Sequence, residues 1–143
     1  MSDGSLGFYD MNVPVRAFVT KRLIGVECES SVQDAAQRMV EFNISSIAVI
    51  ENGDIVGLFT DGDIKERVVA KGKGAQTSVC DVMTRDLVTS DIGTPVKDVL
   101  RIMAEKNIKH VLVTDNEEIV GIMTFRDLID IQRHSLETFI SRE

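Results

Sequence analysis

The chain is 143 residues long, 43% apolar and 27% charged, with a formal net charge of −7. That is the size of one ordinary domain, able to bury roughly two-thirds of its unfolded surface. The acidic balance argues against a general nucleic-acid binder, which carries a basic footprint, but does not exclude a local basic pocket. No apolar run approaches the ~20 residues that span a bilayer. The start, Met1 to Gly7, has neither the basic region nor the apolar stretch of a secretory signal, so the expected compartment is the cytoplasm. Cys28 and Cys80 stand far apart without a CxxC partner, and neither of the two histidines has a second ligand at helical spacing. These spacings predict two buried free thiols, with no disulfide framework and no metal site.

Residues 1–14 are polar and read as a lead-in, docking if at all through Phe8 and Tyr9. Val15 to Leu23 interleaves apolar and basic residues, a short helix followed by an extended approach segment. Ser30 or Ser31 is placed to cap a helix with apolar positions at Val32, Ala35, Ala36, Met39 and Val40. Asn43 ends it, being a residue that tolerates a left-handed turn. Ile47 to Ile50 is a continuously apolar run, as in a buried strand. Glu51-Asn52-Gly53-Asp54 supplies hairpin chemistry. Ile55 to Phe59 is the return strand, and a second helix runs from Asp61 to about Lys71. Residues 72–78 break the periodicity as a linker.

Beyond the linker the chain repeats its first half, displaced by 64 residues, the separation of Gly57 and Gly121. Val79, Thr84, Leu87 and Val96 answer Val15, Thr20, Leu23 and Val32. Asp98, Met103, Asn107 and Ile108 answer Asp34, Met39, Asn43 and Ile44, and the register holds without a gap. The predicted organisation is a first repeat at 15–71, a second at 79–135 and a helical tail at 136–143. The fold class is α+β, two β-α-β-β-α units packed sheet to sheet with pseudo-twofold symmetry, since each copy alone is short for burying its sheet. The helix after Asp127 continues loosely through Leu128, Ile131, Leu136, Phe139 and Ile140, either over its own sheet or against a partner.

Two turns stand out, Gly57-x-x-Thr60-x-x-Asp63 and Gly121-x-x-Thr124-x-x-Asp127. Threonine followed three residues later by an acid resembles a capping box, which satisfies orphan amides at a helix start. The same geometry suits a ligand. A helix start presents unpaired amides to a phosphate, and a carboxylate can accept both hydroxyls of a ribose diol. The preceding glycine admits close approach to the backbone.

With these turns, the Met83-Thr84 approach and the β-α-β-β-α order, the stretch from Val15 to His134 resembles a tandem pair of CBS (cystathionine β-synthase) domains, a Bateman module. The resemblance implies adenosine-containing ligands (AMP, ADP, ATP, S-adenosylmethionine or NAD) in clefts between the repeats, and a disc-like homodimer. It implies a first cleft of Thr60, Asp63, Met83, Thr84 and Val88, with Ile108, Lys109 and His110 opposite. The second cleft would take Thr124, Asp127, Val19, Thr20 and Ile24, with Ile44, Ser45 and Ser46 opposite. Lys109 and His110 offer the first cleft cations for a phosphate, whereas the second offers Ser45 and Ser46, with Arg126 inside its turn as compensation. The bland reading of Lys109 and His110 is a solvated strand edge, and of Val19, Ile24 and Val88 simple core.

The expected function is therefore a regulatory module that binds an adenosine nucleotide, AMP or ATP first, and changes dimer shape or the affinity for a regulated protein. The alternative is a structural interaction protein with vestigial clefts. An enzyme is not expected, because the sequence assembles no nucleophile-base pair, metal cluster or Walker-type loop. Membrane and nucleic-acid partners are not expected either.

Overall fold

The computed structural model describes residues 11–19, 23–127 and 129. Thr20, the docking of Phe8 and Tyr9, and the helical tail at 136–143 lie outside the described residues. Leu23–Leu87 forms one compact unit, and the described residues before it and from Val88 onward form the other.

The first unit contains β1 (Gly25–Glu27), α1 (Val32–Phe42), β2 (Ser46–Glu51), β3 (Asp54–Thr60), α2 (Asp61–Asp63) and, after the linker, α3 (Val79–Val82). Ser31 caps α1, its hydroxyl oxygen accepting from Asp34 N at 3.0 Å. Val32, Ala35 and Met39 turn inward from α1, but Val40, expected on the same face, is 81% exposed. One step past Met39 rotates a side chain by about 100° on a helix, which carries Val40 off the buried stripe. Asn43 closes the helix at φ 53°, and its N–H reaches Met39 O and Val40 O.

β2 is the middle strand, parallel to β1 and antiparallel to β3, with a bulge between Val49 and Ile50. Asn52 and Gly53, both at positive φ, make a two-residue hairpin between Glu51 and Asp54, the left-handed pair that matches strand twist. The core joins Phe59, Ile47 and Val49 of the sheet to Met39 of α1 and to Val79, Val82 and Met83.

The second helix departs from expectation. Only Asp61–Asp63 is α-helical, and Ile64–Val69 winds as a π-helix, with Ala70 N donating to Lys65 O across five residues. Apolar spacing over so short a span does not separate the two windings.

The second unit repeats the plan with β4 (Thr89–Asp91), α4 (Val96–Lys106), β5 (His110–Asp115) and β6 (Glu118–Thr124). Strand order, directions and bulge all recur 64 residues on: Gly25 pairs Ala48 where Thr89 pairs Leu112, and the bulge falls between Val113 and Thr114. Val15, wholly buried, packs in this unit with Val96, Val99, Met103 and Met123. Its N–H donates to Thr94 O at 2.8 Å. The fold is thus mixed α+β with two three-stranded sheets, as expected from the repeat. Each approach segment, however, packs with the other repeat's sheet: α3 with the first, and the turn Val15–Ala17 with the second. The compact units therefore divide the chain differently from the sequence repeats.

The cysteines correct another expectation. Cys28 and Cys80 are not free thiols but form a disulfide, with Cα atoms 4.9 Å apart. Fifty-two residues of separation say nothing of distance in space once α3 returns to the end of β1.

Candidate functional site: the threonine-aspartate turns

In the first unit, β3 delivers Thr60 in extended conformation and the chain then turns into α2. The capping box is complete: Thr60 Oγ1 accepts from Asp63 N at 3.1 Å, and Asp63 Oδ2 accepts from Thr60 N at 3.0 Å. The bland reading of the motif is therefore present in the structure. Asp63 does more than cap. It is 6% exposed, and the Thr84 hydroxyl lies 3.0 Å from its Oδ1 and 3.1 Å from its Oδ2. Arg67 Nε stands 3.4 Å from Oδ1, while Arg67 Nη1 donates to Met83 O at 2.9 Å.

Thr84 arrives here because its backbone bridges β3. Leu58 N donates to Thr84 O at 2.9 Å, and Thr84 N to Leu58 O at 2.7 Å. That approach requires Gly57. A Cβ on Gly57 would meet Met83 Sδ at 2.6 Å and Thr84 O at 2.8 Å, closer than real contacts allow. The glycine of the motif thus serves the neighbouring chain segment, whose methionine is wholly buried against it.

The result is a carboxylate held in one orientation from two sides. Its two oxygens offer about four lone-pair sites. Thr60 N, one Thr84 hydrogen and Arg67 supply three donors, so a further hydroxyl can be accepted. Gly62 leaves the turn open, since a Cβ there would find only Thr60 Oγ1 at 3.5 Å and Glu66 Oε2 at 3.9 Å.

Thr60, Asp63, Met83 and Thr84 are therefore brought together. Ile44 and Ser45 lead into β2, which begins at Ser46 beside the same turn: Ser45 O accepts from Asp61 N at 3.0 Å, and Ser46 pairs with Thr60. Ile24 packs half-buried on this unit's core, its carbonyl accepting from Ala48 N.

In the second unit the box closes again, with Asp127 N donating to Thr124 Oγ1 at 3.0 Å and Thr124 N to Asp127 Oδ2 at 3.2 Å. Lys109 O accepts from Phe125 N at 3.0 Å, and His110 pairs with Thr124 across β5 and β6. Arg126 is exposed within this turn. Val19, Val88 and Ile108 are half-buried against the second core. Arg67 is absent from the residues that the motifs single out, although its i,i+4 spacing from Asp63 is a readable ion-pair signal. Gly57, expected to make room for a ligand, has Met83 and Thr84 as its nearest neighbours.

Comparison with known proteins agrees with this architecture. The CBS domain family model matches residues 15–70 and 79–134, and the chain belongs to that family. It is 32% identical over 114 residues to the CBS domain-containing protein YhcV of Bacillus subtilis, covering 80% of this chain and 81% of that one. Among solved structures, an uncharacterized conserved protein from Pyrococcus horikoshii is 43% identical with a TM-score of 0.83, covering 87% of this chain and 96% of that chain. The CBS domain pair of protein MJ0100, solved in complex with 5′-methylthioadenosine and S-adenosyl-L-methionine, is 27% identical with a TM-score of 0.74, covering 85% of this chain and 96% of that chain. Among the described residues, no helix is long and apolar enough to cross a membrane.

Proposed function

We propose that the chain is a regulatory ligand-binding module, not an enzyme, and that its Thr60–Asp63 turn takes the ribose of an adenosine-containing ligand. The observation that carries this is the Asp63 carboxylate, pinned by Thr60 N and the Thr84 hydroxyl yet with acceptor capacity to spare. A cap alone needs only the first of these contacts. A carboxylate already oriented and desolvated loses little on accepting one further hydroxyl, here one of the ribose's, which is the advantage of preorganisation. Adenosine ligands on the CBS pair of MJ0100 favour the same ligand class here. AMP and ATP are the first candidates. Thr124 and Asp127, with Arg126, are proposed as a second turn of the same kind, and binding is proposed to alter a homodimer or the affinity for a regulated protein.

Isothermal calorimetry with AMP, ATP, S-adenosylmethionine and NAD tests the reading. At least one should bind the wild type. Asp63→Asn keeps an acceptor for the cap but loses the charge, and should weaken binding about tenfold or more, the worth of one charge-assisted hydrogen bond. Failure of all four to bind at millimolar concentration would reject the proposal, and equal affinity in Asp63→Asn would remove this turn from it.

A further inference from the structure

The Cys28–Cys80 pair lies outside the threonine-aspartate turns and has a third potential ligand beside it. Cys28 follows β1, Glu51 ends β2, and the parallel pairing of Glu27 with Ile50 places the next residue of each strand side by side. Cys80 comes from α3. One ligand atom from each of Cys28, Glu51 and Cys80 falls within 4.8 Å of the others. We propose that, with its disulfide reduced, this trio is a binding site for a thiophilic divalent cation such as Zn²⁺.

The backbone argues that the two sulfurs stay together without the bond between them. Cys80 N donates to Cys28 O at 3.0 Å, and Val79 N to Ser30 O at 2.8 Å. Val32 N donates to Thr77 O at 2.8 Å. The Ser78 hydroxyl donates to Cys28 O at 3.0 Å, and Ser31 bridges Ser78. Cys28 N is itself tied to Ile50 O at 2.8 Å, which fixes it beside the end of β2. Five hydrogen bonds of this kind hold the 28–32 and 77–80 segments and the end of β2 in place, whatever the state of the sulfurs. Reduction therefore leaves a preformed dithiol and not two separated cysteines.

The donor set chooses the metal. Two thiolates and one carboxylate suit Zn²⁺ or its spectroscopic substitute Co²⁺, and disfavour Mg²⁺ or Ca²⁺, which take oxygen cages. Burial grades outward from Cys28 through half-buried Cys80 to exposed Glu51, so the cation enters from the Glu51 side. Three protein ligands leave a fourth tetrahedral position for water. The chemistry balances. A dithiol reductant gives two electrons and two protons to the disulfide and becomes a disulfide itself. Metal binding then releases the two thiol protons. Oxidation and metal occupancy exclude one another at this site.

The test is Co²⁺ titration of the full chain, reduced and oxidised, followed by the sulfur-to-cobalt charge-transfer absorption. The reduced protein should bind one equivalent with that absorption, be displaced by Zn²⁺ and be indifferent to excess Mg²⁺. The oxidised protein should show none. Cys80→Ser should abolish the band. Glu51→Gln, at an exposed position, should retain the band but weaken binding by more than the roughly tenfold cost of losing an outer-sphere partner. No charge-transfer band in reduced protein, a band that survives Cys80→Ser, an oxidised protein that binds equally, or displacement by Mg²⁺ would each overturn the proposal.

Discussion

The two turns share their hydrogen-bonded box and differ in what surrounds it. Both threonines accept from the aspartate amide three residues on, and both aspartates accept from the threonine amide. Around the box the repeats diverge. Asp61 and Gly62 become Phe125 and Arg126, Arg67 becomes Ile131, and Gly53 of the hairpin becomes Glu117. The first turn is anionic and open, and takes its cation from one helical turn further on. The second carries its cation within the turn. The two turns share the local geometry that the backbone needs, and differ in the charge placed around it.

The largest expected effect breaks the first turn at its glycine. Gly57→Ala places a Cβ against the Thr84 carbonyl, so the approach segment must move. Overpacking of this kind destabilises by about 1–3 kcal/mol, measurable by chemical denaturation, and should also impair the ligand binding proposed at Asp63. An unchanged midpoint would mean that the close Gly57–Thr84 approach is not maintained in solution.

The hairpins give a smaller effect of opposite sign. Glu117 sits at φ 67°, where its counterpart Gly53 sits at φ 83°. A side chain held in the left-handed region costs about 1 kcal/mol, so Glu117→Gly should stabilise by up to about 1 kcal/mol, and Gly53→Glu should destabilise by a similar amount. The exchange is read from paired thermal melts. Equal and negligible shifts in both would remove backbone conformation as the difference between the hairpins.

The smallest effect copies the second repeat into the first. Arg67→Ile replaces a half-exposed ion pair and one hydrogen bond to Met83 O. Exposed i,i+4 pairs contribute a few tenths of a kcal/mol, so the loss should be about 0.5 kcal/mol. Denaturation curves resolve that when compared with Arg67→Lys, which keeps the charge but not the fork.

Much of the fold is legible in the sequence because its signals are local or repeated. Ser31 and Asn43 cap and end α1 as their chemistry directs, and Asn52-Gly53 closes the hairpin. The 64-residue echo predicts a second sheet with the same order, and the same bulge recurs in it. Misreadings come where neighbouring positions or distant segments decide. Val40 is one helical step from a buried residue and is exposed. The π winding after Asp63 leaves no mark on apolar spacing. At the candidate site, the capping box is readable from four consecutive residues. That Thr84 reaches Asp63 is available only through the family resemblance, because 21 residues separate them.

By itself, then, the sequence determined the duplication, the capping boxes and the hairpins, because each depends on residues within a few positions of one another or on a period that can be counted. The tertiary structure decided which approach segment meets which sheet. It also decided that Gly57 makes room for Met83 and Thr84, and that Cys28, Glu51 and Cys80 converge. Those depend on where a chain returns after a linker, which is set by burial of α3 against the first sheet and not by any spacing along the chain.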